Sequence, residues 1–191
     1  IKYTLVDAHS DSTLQFRPFL AFRNANDLCM ENGAINTAVE DVRNGISTCL
    51  YHGYPNLYMQ FSKKPEWVND GHWYKGVEYY KDKDRGIPYK EDLWVPGYFQ
   101  LPIRKGESII FSASTEEADP DRFFETYEKE LTTRTCRTSF YNCLKNSAKQ
   151  FYLKNQYGMY IMAGYPWYNV RARDELMALP GCTLAIDHKE D

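Results

Sequence analysis

The densest group of chemistry-bearing side chains lies in "MAGYPWYNVRARDELMALPG", Met162–Gly181. Trp167, Arg171, Arg173, Asp174 and Glu175 fall within a dozen residues, beside a Pro-Gly. Read locally, Arg173 and Asp174 are an i,i+1 surface pair opening a helix, with Trp167 in a core. Such an array near the chain's end is either a surface feature or the opening of something larger. A second candidate is "RGIPYKEDL", with Arg85, Glu91 and Asp92. Adjacent carboxylates on a strand point to opposite faces, so Glu91 and Asp92 do not converge on one bond. A charged loop at a domain junction is the expected role.

Other constellations are excluded by spacing. The four histidines (His9, His52, His72, His188) are scattered, and the five cysteines contain no CxxC pair, so no metal site is expected. His52 has no acid partner nearby in "YHGYPN", which leaves Cys-His nucleophilic catalysis without support. No Gly-rich phosphate loop is present. The odd cysteine count reads most simply as reduced thiols in a cytoplasmic protein.

The net charge is −3, with both signs interspersed. Nucleic-acid binding requires a basic stripe, so no nucleic-acid partner is expected. No run of about 18 apolar residues exists, so no membrane span is expected either. The chain starts at Ile1 rather than Met, so its true start is expected upstream. The unusual feature is aromatic: 16 Tyr, 10 Phe and 4 Trp. Such rings combine a flat apolar face with a polar handle, which suits sugars. They equally line an ordinary β-sandwich.

Two textures divide the chain. Up to about Thr115 it reads as β: "IKYTLVDAH", "STLQFRPFLAF", "NLYMQF", "EWVNDGHWYKGVEYY" and "ESIIFSAST" are strand candidates. "RNGIS" and "RKGES" supply turns, and Asn-Asp-Gly at 69–71 predicts a hairpin turn. From Asp119 the apolar period becomes helical. "DPDRFFETYEKEL" opens with an N-cap and a first-position proline. A second stripe runs through Phe140, Cys143, Leu144, Ser147, Ala148 and Phe151. The Thr-rich "TTRTCRTS" between them bends or breaks the helix, and Gly158 ends this part. Beyond Arg173 the pattern is again helical, interrupted at Pro180-Gly181. Strands succeeded by helices predict a β domain with an α segment, not an alternating α/β sheet.

Three stretches, in order, resemble the glycogen debranching enzymes of bacteria and archaea in their amylo-α-1,6-glucosidase part. They are "TLQFRPFLAFRNANDL", "WYKGVEYYKDKDRGIPYKEDLWVPGYF" and "AGYPWYNVRARDELMALPG". The resemblance implies a mainly β fold: a β-sandwich of the supersandwich type, followed by helices that begin an α/α toroid. It implies that residues 1–116 are sandwich, 117–157 linker helices and 158–191 the start of a truncated helical catalytic domain. The remaining parts of the full-length chain are then partners of this segment.

By the same resemblance the parent hydrolyses α-1,6-linked glucose from glycogen-like α-glucans, without metal or organic cofactor. Its substrate is glycogen or a limit dextrin. Arg173 would donate to sugar hydroxyls, Asp174 would accept from them, and Trp167 would supply a stacking wall. No catalytic residue is expected within this segment, because the acid and base would lie downstream. The array departs from the family pattern in Tyr168–Ala172 and at Glu175, where Thr is common. A non-catalytic sandwich that binds carbohydrate, a purely structural domain and a disaccharide phosphorylase are the alternatives.

Overall fold

The computed structural model describes residues 1–25, 27–164 and 168–186. The chain divides into two compact units, Ile1–Glu128 and Lys129–Asp191.

In the first unit the short strand β1 (Lys2–Thr4) precedes β2 (Ser12–Phe16). Alternation of Leu14 and Phe16 with Thr13 and Gln15 makes β2, and it stops short of Pro18. A long loop then leads to the hairpin β3 (Val39–Val42) and β4 (Gly45–Thr48). Asn44 takes the left-handed turn conformation at its tip, with φ 54°. β5 (Leu57–Phe61), β6 (Glu66–Glu78), a single helical turn α1 (Tyr80–Asp84), β7 (Lys90–Ile103) and β8 (Ser108–Ser114) complete the strands. Two antiparallel sheets result, with strand orders β1-β8-β5-β4-β3 and β2-β7-β6.

The two sheets share one apolar core in a sandwich-like arrangement. Ile46, Met59, Phe61 and Ile109 come from the first sheet, and Phe99, Leu101 and Ile103 from β7 of the second. Phe61 is the meeting point. Its ring lies 5.0 Å from Phe16, 4.9 Å from Phe99 and 4.9 Å from Phe111, the first two edge to face. Such ring pairs add about 0.5–1.5 kcal/mol each beyond their burial. Buried Gln60 fastens the sandwich to the segment that leads into the helices. Its amide donates to Arg43 O and Ala118 O and accepts from Ala118 N–H.

The expected hairpin at 69–71 does not form. β6 runs straight through Asn69-Asp70-Gly71 and absorbs the extra residues as a bulge against β7, between Asn69 and His72. The reversal comes further along, around α1 and Gly86. The bulge lies opposite Pro96, a buried proline in the middle strand of its sheet. Proline is rarely tolerated there because it cannot donate. Here pairing lapses on both flanks. On one side lies the bulge, and on the other the gap between the Phe16–Phe99 pair and the Leu20–Trp94 bridge.

Helices come next, as expected at first. Asp119 caps a 3-10 turn at Pro120–Arg122, its carboxylate accepting from Asp121 N–H. α2 (Phe123–Thr133) continues directly from it. The segment 134–139 breaks the helix, and Ser139 caps α3 (Phe140–Lys149). The second unit then departs from expectation. "YLKN" and "GMYIMAG" form strands β9 (Tyr152–Asn155) and β10 (Gly158–Gly164), joined to β11 (Tyr168–Val170) in the order β11-β10-β9. Gly158 begins a strand rather than ending a helical part. The Asn155 side chain accepts from Tyr157 and Gly158 N–H and closes the turn.

α4 (Ala172–Cys182) carries Pro180 within its last turn instead of stopping at it. Thr183 closes that end, its N–H and hydroxyl both meeting Leu179 O. No closed ring of paired helices is present among the described residues.

Gly97 is fixed by close approach. A Cβ there would lie 2.2 Å from Val68 O and 2.9 Å from the Trp67 ring, at φ 153°. Gly97→Ala should therefore destabilise the first unit by about 1–3 kcal/mol, the usual cost of forcing atoms into a packed site. Chemical denaturation of the chain measures it. Gly33→Ala, where nothing lies within 4 Å of the added carbon and the backbone is not left-handed, serves as the comparison.

Candidate functional site

Glu91 and Asp92 sit on β7 and face opposite sides of the strand. They are not a charged loop, because both are buried, at 0% and 5% exposure. The solvated look of "KEDL" is misleading, since each carboxylate is neutralised or hydrogen-bonded by groups distant in sequence. Arg23 reaches Glu91 with a two-pronged grip, Nε to Oε2 and Nη2 to Oε1, both at 2.7 Å. Tyr79 donates its hydroxyl to the same carboxylate, and Cys29 N–H approaches at 3.3 Å. Asp92 accepts from Glu31 N–H and Gly76 N–H, each at 2.9 Å.

These bonds tie Arg23 and residues 29–31, between β2 and β3, to β7. Asp92 N–H donates to Cys29 O at 2.7 Å, so residues 29–31 run alongside the strand end. Asn32 bonds the Tyr51 hydroxyl, while Asn36 bonds Leu50 O and Cys49 O. One strand end thereby holds a long loop against the sandwich.

The electrostatics agree with this geometry. Burial pushes the Glu91 carboxyl up, but hydrogen bonds from Arg23, Tyr79 and Cys29, with the Arg23 charge, outweigh it and hold it below its ordinary value. Backbone N–H groups of Glu31 and Gly76 hold Asp92 below its own. Burial and the Glu91 bond keep the Tyr79 phenol protonated above its usual range. Both carboxylates therefore stay ionised and occupied. A glycosidic acid needs the opposite, a raised pKa and a free face. Glu91 and Asp92 are positioning groups for the loop. Arg23 and Tyr79 had no distinctive local signal, Arg23 being a lone cation at the end of "FLAFR".

The array at α4 is arranged differently. Arg173 and Asp174 lie in the first turn of α4, Arg173 exposed and Asp174 half-buried. Neighbouring charges are already used. Arg171 stacks its guanidinium 4.5 Å from the Tyr168 ring centre, and Glu175 accepts from Ile161 N–H at 3.1 Å. Arg173 and Asp174 form no ion pair with one another and no side-chain hydrogen bond with any described residue. The third expected member, Trp167, lies outside the described residues. No cluster of three or more metal-ligating side chains occurs among the described residues.

A family model described as "Glycogen debranching enzyme N terminal" matches residues 1–110. The chain belongs to this family. The matched span runs from β1 into β8, the strands of the sandwich, and includes the loop held by Glu91 and Asp92. Membership in the glycogen debranching enzyme N-terminal family thus rests on the aromatic-rich β region rather than on the array at α4. Neither a curated protein nor a solved structure matches the chain. Arg173 and Asp174 fall beyond the matched span.

Glu91→Gln should lower unfolding stability by about 3 kcal/mol, near the lower end for breaking a buried pair because Arg23 keeps some water contact. The pH dependence has a definite sign. Glu91 has a lowered folded pKa, so its contribution is full above the ordinary value of 4.5 and is lost as pH falls through the lower folded value. Glu91→Gln should flatten the acid limb of stability in that window. Denaturant melts across the acid range measure both effects.

Proposed function

We propose that this chain is the N-terminal part of a glycoside hydrolase that removes α-1,6-linked glucose from debranched α-glucans. The family match over residues 1–110 carries the proposal. The exposed apolar side chains of the second unit support it. Phe140 and Leu144 on α3, and Leu176 and Met177 on α4, are 81%, 49%, 70% and 72% exposed. Only Ile161 and Ile186 are buried hydrophobics among the described residues of that unit. Such faces fit helices that pack on further helices of a catalytic toroid. Five free thiols fit a cytoplasmic protein. No helix among the described residues is long and apolar enough to cross a membrane.

In this reading the sandwich is scaffold, and the catalytic acid and base come from the toroid. Inverting hydrolysis needs two carboxyls about 6.5–9.5 Å apart, with room for a water. Trp167, Arg173 and Asp174 form a sugar subsite at the toroid entrance. Trp167 stacks on the glucose ring. Arg173 donates to its hydroxyls and Asp174 accepts from them, a charge-assisted grip that fixes orientation. Their lack of partners among the described residues leaves both side chains available. In this role Asp174 accepts hydrogen bonds and supplies no proton.

The test is kinetic. Asp174→Asn in the full-length protein should lower kcat/KM on α-1,6 stubs by at least about tenfold, the equivalent of one charge-assisted hydrogen bond. The variant should keep wild-type thermal stability. The 191-residue chain alone should release no glucose from limit dextrin. Wild-type turnover by Asp174→Asn would overturn the subsite, and glucose release by the short chain would overturn the placement of the acid and base.

A further inference from the structure

On the first unit, the segment around Phe19–Arg23 and the turn around Tyr54–Leu57 enclose an open cleft of about 310 Å³. Its walls are aromatic. Phe22 and Tyr54 lie 6.1 Å apart with their planes at 61°. Phe19, at the rim, meets Tyr74 edge to face at 4.9 Å. Phe19 and Tyr54 are 44% and 38% exposed, so ring surface faces water where a ligand can reach it.

The uncharged polar side chains that line the cleft with these rings are unused. The Tyr54 hydroxyl, the Asn56 amide and the Thr115 hydroxyl bond no side chain or backbone group among the described residues. Arg23 is the one charged residue lining the cleft among the described residues. Its guanidinium is committed to Glu91 and to the carbonyls of Asn24 and Ala25. The cleft thus presents flat apolar faces, neutral donors and acceptors, and no free charge. A phosphate or carboxylate ligand finds no counter-charge there. A ring with an apolar C–H face and a rim of hydroxyls matches each feature.

We propose that this cleft binds a glucose unit of an α-glucan chain, as an anchoring site on the sandwich separate from the reacting subsite. The choice of glucan rests on the hydrolase reading above. Tyr54 and Phe22 cover the apolar face of the sugar, and Asn56 and Thr115 meet its hydroxyls. The Arg23–Glu91 grip sets the position of Phe22, so the site is prepared before the sugar arrives. A chain held here stays near the enzyme after one branch stub has been removed.

Calorimetric titration of the 191-residue chain with maltoheptaose tests the site. Tyr54→Ala should weaken binding about five- to tenfold, as expected for loss of one ring contact. Asn56→Ala should weaken it by a smaller factor. Tyr157→Ala, which removes an exposed ring in the other unit, should leave affinity unchanged. Circular dichroism and thermal melts establish that each variant is folded. Absence of maltoheptaose binding by the folded wild-type chain, or wild-type affinity in both Tyr54→Ala and Asn56→Ala, would overturn the proposal. Either result leaves α-1,6 hydrolysis by the full-length protein intact, since that reading stands or falls on its own assay.

Discussion

The grip of Arg23 on Glu91 is the interaction on which the first unit is organised. Glu91 is wholly buried, and a carboxylate removed from water is tolerated only when charge and hydrogen bonds replace that water. Arg23, Tyr79 and Cys29 N–H supply the replacement. In doing so they fix the irregular chain between β2 and β3, the Tyr79 turn between β6 and β7, and the start of β7 itself. The next residue, Asp92, works on the other face with two backbone N–H groups. One pair of adjacent acids thus serves as a two-sided fastener. The strands alone would not define where Arg23 and residues 29–31 lie.

That fastening gives meaning to a fold otherwise built from ordinary parts. The sandwich core is a meeting of aromatic and aliphatic side chains around Phe61, and it would tolerate many sequences of the right volume. The family membership is carried by this same region. Among its described residues the second unit has a three-stranded sheet, the ten- and eleven-residue helices α3 and α4, and Ile161 and Ile186 as its buried hydrophobics.

Much of the fold is legible in the sequence because it depends on local pattern. Alternation in "STLQF", "NLYMQF" and "ESIIFSAS" marks β2, β5 and β8, and Asp119-Pro120 marks the helix start. The longest strand, β7, is not legible. Pro96, Gly97 and Pro102 break its pattern, and only the bulge in β6 and the lapse of β2 make a proline acceptable there. For the same reason Asn69-Asp70-Gly71 looks like a turn. β10 is hidden in a short apolar run that suits helix or strand equally, and β9 and β11 are too short to show an alternation. Strand alternation correctly separates Glu91 from Asp92, but their burial depends on Arg23, 68 residues away. Arg173 and Asp174 are singled out by resemblance alone, and the structure adds that Arg171 and Glu175 beside them are occupied while the Arg173 and Asp174 side chains bond no described residue.

The pairing of β1 with β8 sets a clock on synthesis. Thr4 lies opposite Ser108, 104 residues later, and the Thr4 and Ser108 hydroxyls share a hydrogen bond across that join. Until β8 has left the ribosome, β1 has no neighbour and the free edge of β5 stays open. At ordinary translation speeds of about 5–20 residues per second, the wait lasts roughly 5–20 s. Open strand edges are templates for pairing with other chains. The order of the strands therefore makes the nascent sandwich most dependent on chaperones in the interval before its last strand arrives.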